Sequence, residues 1–453
     1  MKNYLLFVIL FFIFQSIIHA QVADTWYFGS GAGVDFSGPS PVALTNGVLY
    51  ASEGCTSISD NNSNLLFYTD GVTVYNSNHT AMPNGTGLAG GSSSNQAAIV
   101  VPVPGSNNTY YVFTTGDNCS GSLNYSIVDM TLAGGLGDVI AKNTMLLNPV
   151  AEKITAVKDA NGLDYWVLVH EGNTTAFYAY KITTAGVSVP VVSNIGTVIS
   201  NTDCLGGMKF NPMGTQVAVT YEGSYSFELY DFNKTTGMLS NQRIIGPLLN
   251  YVYSCEFSPN GHYLYGNLDA PAVPAEIYQY DVTLPSAAAI NASGIQVGIS
   301  TTSFYFGTMQ NAPDGKIYVA RDGQDYLGII NNPNVHGLAC NYVDIGLSLA
   351  SRNNTLGLPN FVTSIFRSES SGLIENKQTM YSVYPSPFSN QIFVRGLRCE
   401  TMVRLLDIQG REIESRILSP THPSLNTASV VNGVYLFEII SDKQRSVYKV
   451  LKL

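Results

Sequence analysis

A tight Pro-x-Gly turn between two β-rich runs recurs along this chain, and it restricts the fold more than any other feature. Its clearest copy, Met309 to Ala320, reads MQNAPDGKIYVA. Pro313 presets φ at the first turn position and Gly315 supplies a positive φ. The run that follows alternates Ile317 and Val319 against Tyr318 and Ala320, the two-residue period of a strand. Two upstream stretches align on the turn proline without gaps, MKFNPMGTQVAV from Met208 and CEFSPNGHYLYG from Cys255. Looser relatives of the second strand are NLLFYTDG from Asn64, TYYVFTTG from Thr109 and DYWVLVHEG from Asp164. Hairpins returning at intervals of roughly 45 to 55 residues predict a ring of small sheets, a β-propeller.

Each unit reads as four strands, the third being segments such as YSFELYDF from Tyr225 and AEIYQYDV from Ala275. One twisted four-stranded sheet cannot bury both faces, whereas sheets packed face to face around an axis can, and the ring leaves few exposed edges. Six hairpins account for six blades. Left over are TWYFG from Thr25 with GVDF and PVAL at one end, and GLPNFVTSIF from Gly357 at the other. They predict a seventh blade built from both ends of the array. The expected fold class is all-β: a seven-bladed β-propeller over 21–367, a linker over 368–378 and a small Ig-like β-sandwich over 379–453.

Lys2, the apolar run LLFVILFFIF and the polar-to-small stretch ending SIIHA read as a secretory signal peptide over 1–20, processed between Ala20 and Gln21. The run is short for a membrane span and no stop-transfer flank follows, so no integral span is expected in the mature chain. No cysteine sits just after the cleavage point to carry a lipid. Tyr 28, Phe 20 and Gly 42 with 12% charged residues fit an exported all-β protein. The formal net charge of -10 is spread along the chain and opposes broad attraction to nucleic acid, which is set aside as a partner. Six cysteines in an exported chain permit disulfides. Cys55 and Cys119 lie in loops expected on one face of neighbouring blades and form the expected pair. Cys255, aligned with Met208 and Met309, is expected to be a buried free thiol.

The search for chemistry yields no catalytic, metal or cofactor residues. His79, His170, His262, His336 and His422 form no close metal-binding pair. His170 beside Glu171 is expected at a strand end, in solvent. GGSSSNQ at Gly90 lacks the apolar strand that a nucleophile elbow needs and reads as a loop. Asp60, Asn62 and Asn64 resemble the opening of a calcium loop, but Leu65 occupies the glycine position and no glutamate follows at the twelfth, so a hairpin turn is expected. Glu53-Gly54 and Glu171-Gly172 could bring acids toward one face, and the inner strands supply Lys209 and Glu256. Most of the tyrosines alternate at strand spacing and read as packing between blades.

WYFGSGAGVDF, EGCTSISDNNSNLLFYTDGVTVYNSNH, GGSSSNQAAIVVPVPGS, MQNAPDGKIYVAR, YLGIINNPNVHGLACNYVD and LGLPNFV, in this order, resemble the propeller ectodomains of surface proteins from gliding Bacteroidetes. That resemblance covers most of 24–366 and implies a surface or secreted propeller without implying a reaction. The last 75 or so residues resemble the type A C-terminal sorting domain of the type IX secretion system. Pro385 to Phe388, Asp407 to Arg411, Gly433 to Tyr435 and Lys449 to Leu453 hold the places of its motifs. Ser386 stands where that family usually has Asn, and Cys399 is uncommon there. The resemblance implies the type IX machinery as partner, passage through the periplasm to the surface or beyond, and removal of the domain. Three function classes then stand: non-catalytic capture of an unknown surface glycan or protein, a hydrolase or lyase acting at the axis, and a structural part of the gliding or envelope machinery. A cluster of acids and histidine at the axis would favour the second, and a neutral lining the first.

Overall fold

The computed structural model describes residues 21–248, 250–269, 273–301, 305–366, 381–397, 399–407, 411–441 and 444–453. The predicted signal peptide, with Ala20, and the predicted linker lie outside the described residues. Gln21 begins a short 3-10 turn, Gln21–Ala23. The chain divides into two compact units between residues 368 and 369.

The first unit is a succession of small antiparallel sheets. The first holds Thr25–Phe28, Ala32–Asp35 and Val42–Leu44, and the second runs from Thr56–Ser59 to Ala81–Thr86. An eight-stranded sheet follows, beginning at Ala98–Pro102, and then three four-stranded sheets, beginning at Met208–Phe210, Tyr251–Phe257 and Phe306–Asn311. The eight-stranded sheet owes its width to one 21-residue strand, Asp138–Lys158. Its first half pairs with Gly121–Asp129 and its second half with Tyr165–Glu171, with Val150 in register with both.

The three gap-free hairpins share one turn. The N–H of Gly214, Gly261 and Gly315 donates to the carbonyl three residues earlier, at 2.8, 2.7 and 3.0 Å, and their φ values are 70°, 70° and 77°. Gln310 stands opposite Tyr318 and Met309 opposite Val319, so the alternation read in the sequence sets the register.

Each sheet buries a face against its neighbour. Val74 and Met82 pack on Val112 and Val128, and Trp166 and Phe177 on Phe210 and Tyr230, while within the eight-stranded sheet Ile99 and Phe113 of one half pack on Ile154 and Val167 of the other. Phe227 packs with Phe257 and Leu264, and Tyr265 with Met309 and Ile317. The series closes on itself, because Trp26 of the first sheet and Phe36 just after it meet Tyr318 of the last edge-on, with centroids 5.8 and 5.2 Å from it.

The sheet expected from both ends of the array does not form. The first sheet contains N-terminal strands alone, and residues 356–366 cross the first strands of other sheets. Pro359 bridges Cys55, Val362 bridges Ala156, and the Asn360 N–H donates to the Cys55 carbonyl at 2.8 Å. Proline has no N–H to continue a ladder, so this stretch binds by single bridges and side chains instead of as a paired strand. It still ties the ends together: Thr355 Oγ1 donates to the Ala51 carbonyl at 2.6 Å and Thr56 Oγ1 to the Asn360 carbonyl at 2.7 Å.

The disulfide also differs from expectation. Cys119 pairs with Cys204, their Cα atoms 5.5 Å apart, while Cys55 is a buried free thiol. A loop after a second strand does meet a loop before a first strand, as the Cys55 pairing assumed. The partner is the turn that leads into Met208–Phe210, because Cys55 has already entered the core with Trp26 and Tyr68. Cys255 is buried and free, as its alignment with Met208 implies.

The second unit is a sandwich of a three-stranded sheet (Ser382–Tyr384, Gln391–Arg395, Ser424–Asn426) and a four-stranded one (Glu412–Leu418, Thr401–Leu406, Gly433–Ser441, Gln444–Lys452). Ile392, Val394 and Leu425 meet Val403, Leu405 and Phe437 in its core. Arg411 Nε donates to Asp407 Oδ2 at 2.7 Å.

Candidate functional site

The middle of the array is a closed polar knot. Lys209 and Glu256, the two charges expected on the inner strands, are both buried and lie 3.6 Å apart. Lys209 Nζ also donates to Gln310 Oε1 at 2.6 Å and to Asn360 Oδ1 at 3.4 Å, and Asn360 Nδ2 donates to the Ile154 carbonyl at 3.0 Å. Gln96 Oε1 accepts from the N–H groups of Met208 and Ile154, joining the eight-stranded sheet to the one that follows it. These groups satisfy one another.

Among the described residues, a cavity of about 410 Å³ opens among the loops. Its carboxylates come from Glu53, Glu222, Asp269 and Asp322, and its aromatic walls from Tyr251, Tyr253, Tyr305 and Phe306. Glu222 and Asp322 directly follow the second strands Gln216–Tyr221 and Ile317–Arg321, and Asp269 ends the second strand Tyr263–Asp269. The end of the second strand thus delivers an acid from three consecutive sheets, Asp322 standing one residue earlier than the other two relative to the turn glycine. Glu53 arrives from the loop before Thr56–Ser59, where a Cβ on Gly357 would lie 1.6 Å from its carbonyl oxygen, so only glycine allows the close approach that fixes it. Ser93 Oγ and Tyr253 OH donate to its carboxylate at 3.1 and 3.2 Å.

Behind this wall sit Glu152 and Lys153, both buried. Glu152 accepts the N–H groups of Asn95 at 2.9 Å and Asn118 at 2.7 Å, and Lys153 Nζ donates to the Leu205 carbonyl. Burial, reinforced by Glu152, pushes Glu53 up to about 7. Burial likewise pushes Glu152 up to about 7 and Asp269 up to about 8, and it raises Glu222 and Asp322. It lowers Lys153 to about 8. Among the described residues, no group of three or more His, Cys, Asp or Glu is arranged to hold a metal ion.

Of the acids singled out in the sequence, Glu53 lines the cavity and Glu171 does not; Glu171 accepts the Tyr178 hydroxyl at 3.3 Å. His170 is not in solvent. It is fully buried against Phe177, with centroids 4.2 Å apart, and burial lowers it to about 4. The strand runs one residue past it and turns its ring inward. Asp60 caps a turn, accepting from the N–H groups of Asn62 and Asn64 at 2.8 and 2.9 Å, the hairpin arrangement expected there.

Comparison with known proteins bears first on the second unit. Residues 382–452 match the secretion system C-terminal sorting domain. That domain supports export through the type IX secretion system to the cell surface or outside. No curated protein matches the chain. Among solved structures, it is similar to PorZ, a surface component of the type IX secretion system of Porphyromonas gingivalis, at 11% identity and TM-score 0.33, over 95% of this chain and 74% of that one. It is also similar to proposed 6-phosphogluconolactonases of Bacteroides fragilis and Bacteroides uniformis, each at 12% identity, with TM-scores of 0.45 and 0.44. These cover 74% and 72% of this chain and 97% and 98% of theirs.

The raised carboxyls make stability depend on pH. Glu53 ionises near 4.5 unfolded and near 7 folded, so its contribution is fully present below about 4.5 and is lost as pH rises through about 7. Glu53→Gln is therefore expected to raise stability at pH 8, by about 1–2 kcal/mol after allowing for partial solvent screening, and to leave it unchanged at pH 4.5. Thermal unfolding at the two pH values checks this; equal effects at both would refute the assignment.

Proposed function

We propose that the first unit is a seven-bladed β-propeller whose function is non-catalytic capture of a glycan in the cavity among Glu53, Glu222 and Asp269, and that the second unit is an export address removed on delivery. The blade count follows from treating the two halves of the eight-stranded sheet, divided at Val150, as separate blades. The cavity carries the reading: carboxyl groups and tyrosines together offer hydrogen bonds to sugar hydroxyls and flat faces to sugar rings.

An acid cluster alone would equally suggest hydrolysis; the common direction of its shifts is what supports capture instead. Two-carboxylate hydrolysis needs one acid held protonated and another held ionised. Here every resolved shift on a cavity carboxyl is upward, and all are led by the same cause, burial. Such a set offers hydrogen-bond donors and acceptors to sugar hydroxyls.

The test is a panel of immobilised glycans probed with the mature protein, residues 21–453. Binding that Asp269→Asn or Glu222→Gln weakens at least tenfold is expected. Release of shortened products during prolonged incubation would overturn the non-catalytic reading. For the export address, a chain ending at Ser370 is expected to stay in the periplasm of its host, and its appearance at the surface would refute that role.

A further inference from the structure

We infer that the captured glycan carries a free amine beside its hydroxyls, so that an ammonium group sits among the cavity carboxylates. This rests on the glycan-binding reading above and specifies its ligand. The charge balance comes first. Glu53, Glu222, Asp269 and Asp322 line the cavity, and the nearby cation, Lys153, has its head turned to the Leu205 carbonyl behind the wall. Uronic or sialic acids would bring a further carboxylate into a site where burial already holds Glu53 and Asp269 protonated near neutral pH. A neutral sugar would leave those acids protonated. An ammonium gives their ionised forms a counterion, and the faces of Tyr253 and Phe306 favour it further.

A second observation calls for hydroxyls as well. Asn95 lines the cavity and is 2% exposed. Its Oδ1 accepts the Gly206 N–H at 2.9 Å, which fixes the amide orientation and leaves Nδ2 buried with no hydrogen-bond partner. That N–H needs an acceptor, which an ammonium cannot be and a sugar oxygen can. Glu222 Oε2 is the complementary orphan, a buried acceptor with no donor. A hexosamine supplies both partners from adjacent carbons, whereas a simple alkylammonium supplies only one.

Three β-1,4-linked trimers that differ only at C2 test this by calorimetry with the mature protein at pH 6: the glucosamine trimer, its N-acetylated form and cellotriose, with spermidine as a sugar-free cation. The glucosamine trimer is expected to bind at least tenfold more tightly than the other three. Glu222→Gln with Asp269→Asn, checked for folding by near-UV circular dichroism, is expected to erase that preference while weak binding common to all three trimers persists. Equal affinity for cellotriose or the N-acetylated trimer would overturn the ammonium while leaving glycan capture standing. Equal affinity for spermidine would overturn the sugar hydroxyls. Failure of the glucosamine trimer while another glycan of the panel binds overturns this inference alone, and failure of every glycan overturns the reading beneath it.

Discussion

Replacing both Cys119 and Cys204 with serine should lower the stability of the first unit by about 4 kcal/mol, on the chain-entropy view of a crosslink that closes a long loop. The two cysteines are 85 residues apart, so the unfolded chain loses much freedom when they are joined. The effect should extend to the cavity. Cys204 ends the turn Asn201–Cys204, and the next residue, Leu205, both lines the cavity and holds Lys153 through its carbonyl. Reductant should lower the thermal midpoint of the wild-type protein by the same amount and leave the double serine variant unchanged. Cys55→Ser, which removes a buried thiol and no bond, should show an undiminished response to reductant. A double variant as stable as the wild type would exclude the crosslink.

Lys209→Ala should cost about 3–5 kcal/mol, because it strands Glu256 in the middle of the array without its counterion. Burial already pushes the Glu256 carboxyl up against the opposing pull of Lys209. With Lys209 gone, the acid can escape the penalty by taking a proton, so the deficit should shrink as pH falls. Lys209→Met combined with Glu256→Gln should recover much of the loss. Urea unfolding of the three proteins at pH 8 and pH 5 measures this, and a single variant costing under about 1 kcal/mol at pH 8 would show that the pair does not matter.

What the sequence revealed and what it hid follow one division. Turns are local, so Pro-x-Gly at 212–214, 259–261 and 313–315 gave the hairpins and their register directly. The pairing of Cys119 required knowing which of several similar loops comes nearest, a long-range fact, and the nearer candidate in sequence was the wrong one. Glu53 apart, each cavity acid looked like an ordinary residue when read alone. Aligning the ends of the second strands would have exposed them, since Asp70, Glu171, Glu222, Asp269 and Asp322 all occupy that place. Glu152 and Lys153 gave no signal, because they lie inside a 21-residue strand with no turn to mark the passage from one half to the other. His170 was misjudged by a single residue of strand length, which in a β-strand reverses the direction of a side chain.

The crossing of residues 356–366 over the first strands has a consequence in time. The Thr56 hydroxyl and the Asn360 carbonyl that it bonds are 304 positions apart, so the circuit cannot be sealed until nearly all of the first unit has been synthesised. The sorting domain comes later still in the chain. A polypeptide cut short before its seal therefore also lacks its address, and chain order alone ensures that every molecule presented for export contains the segment needed to finish folding.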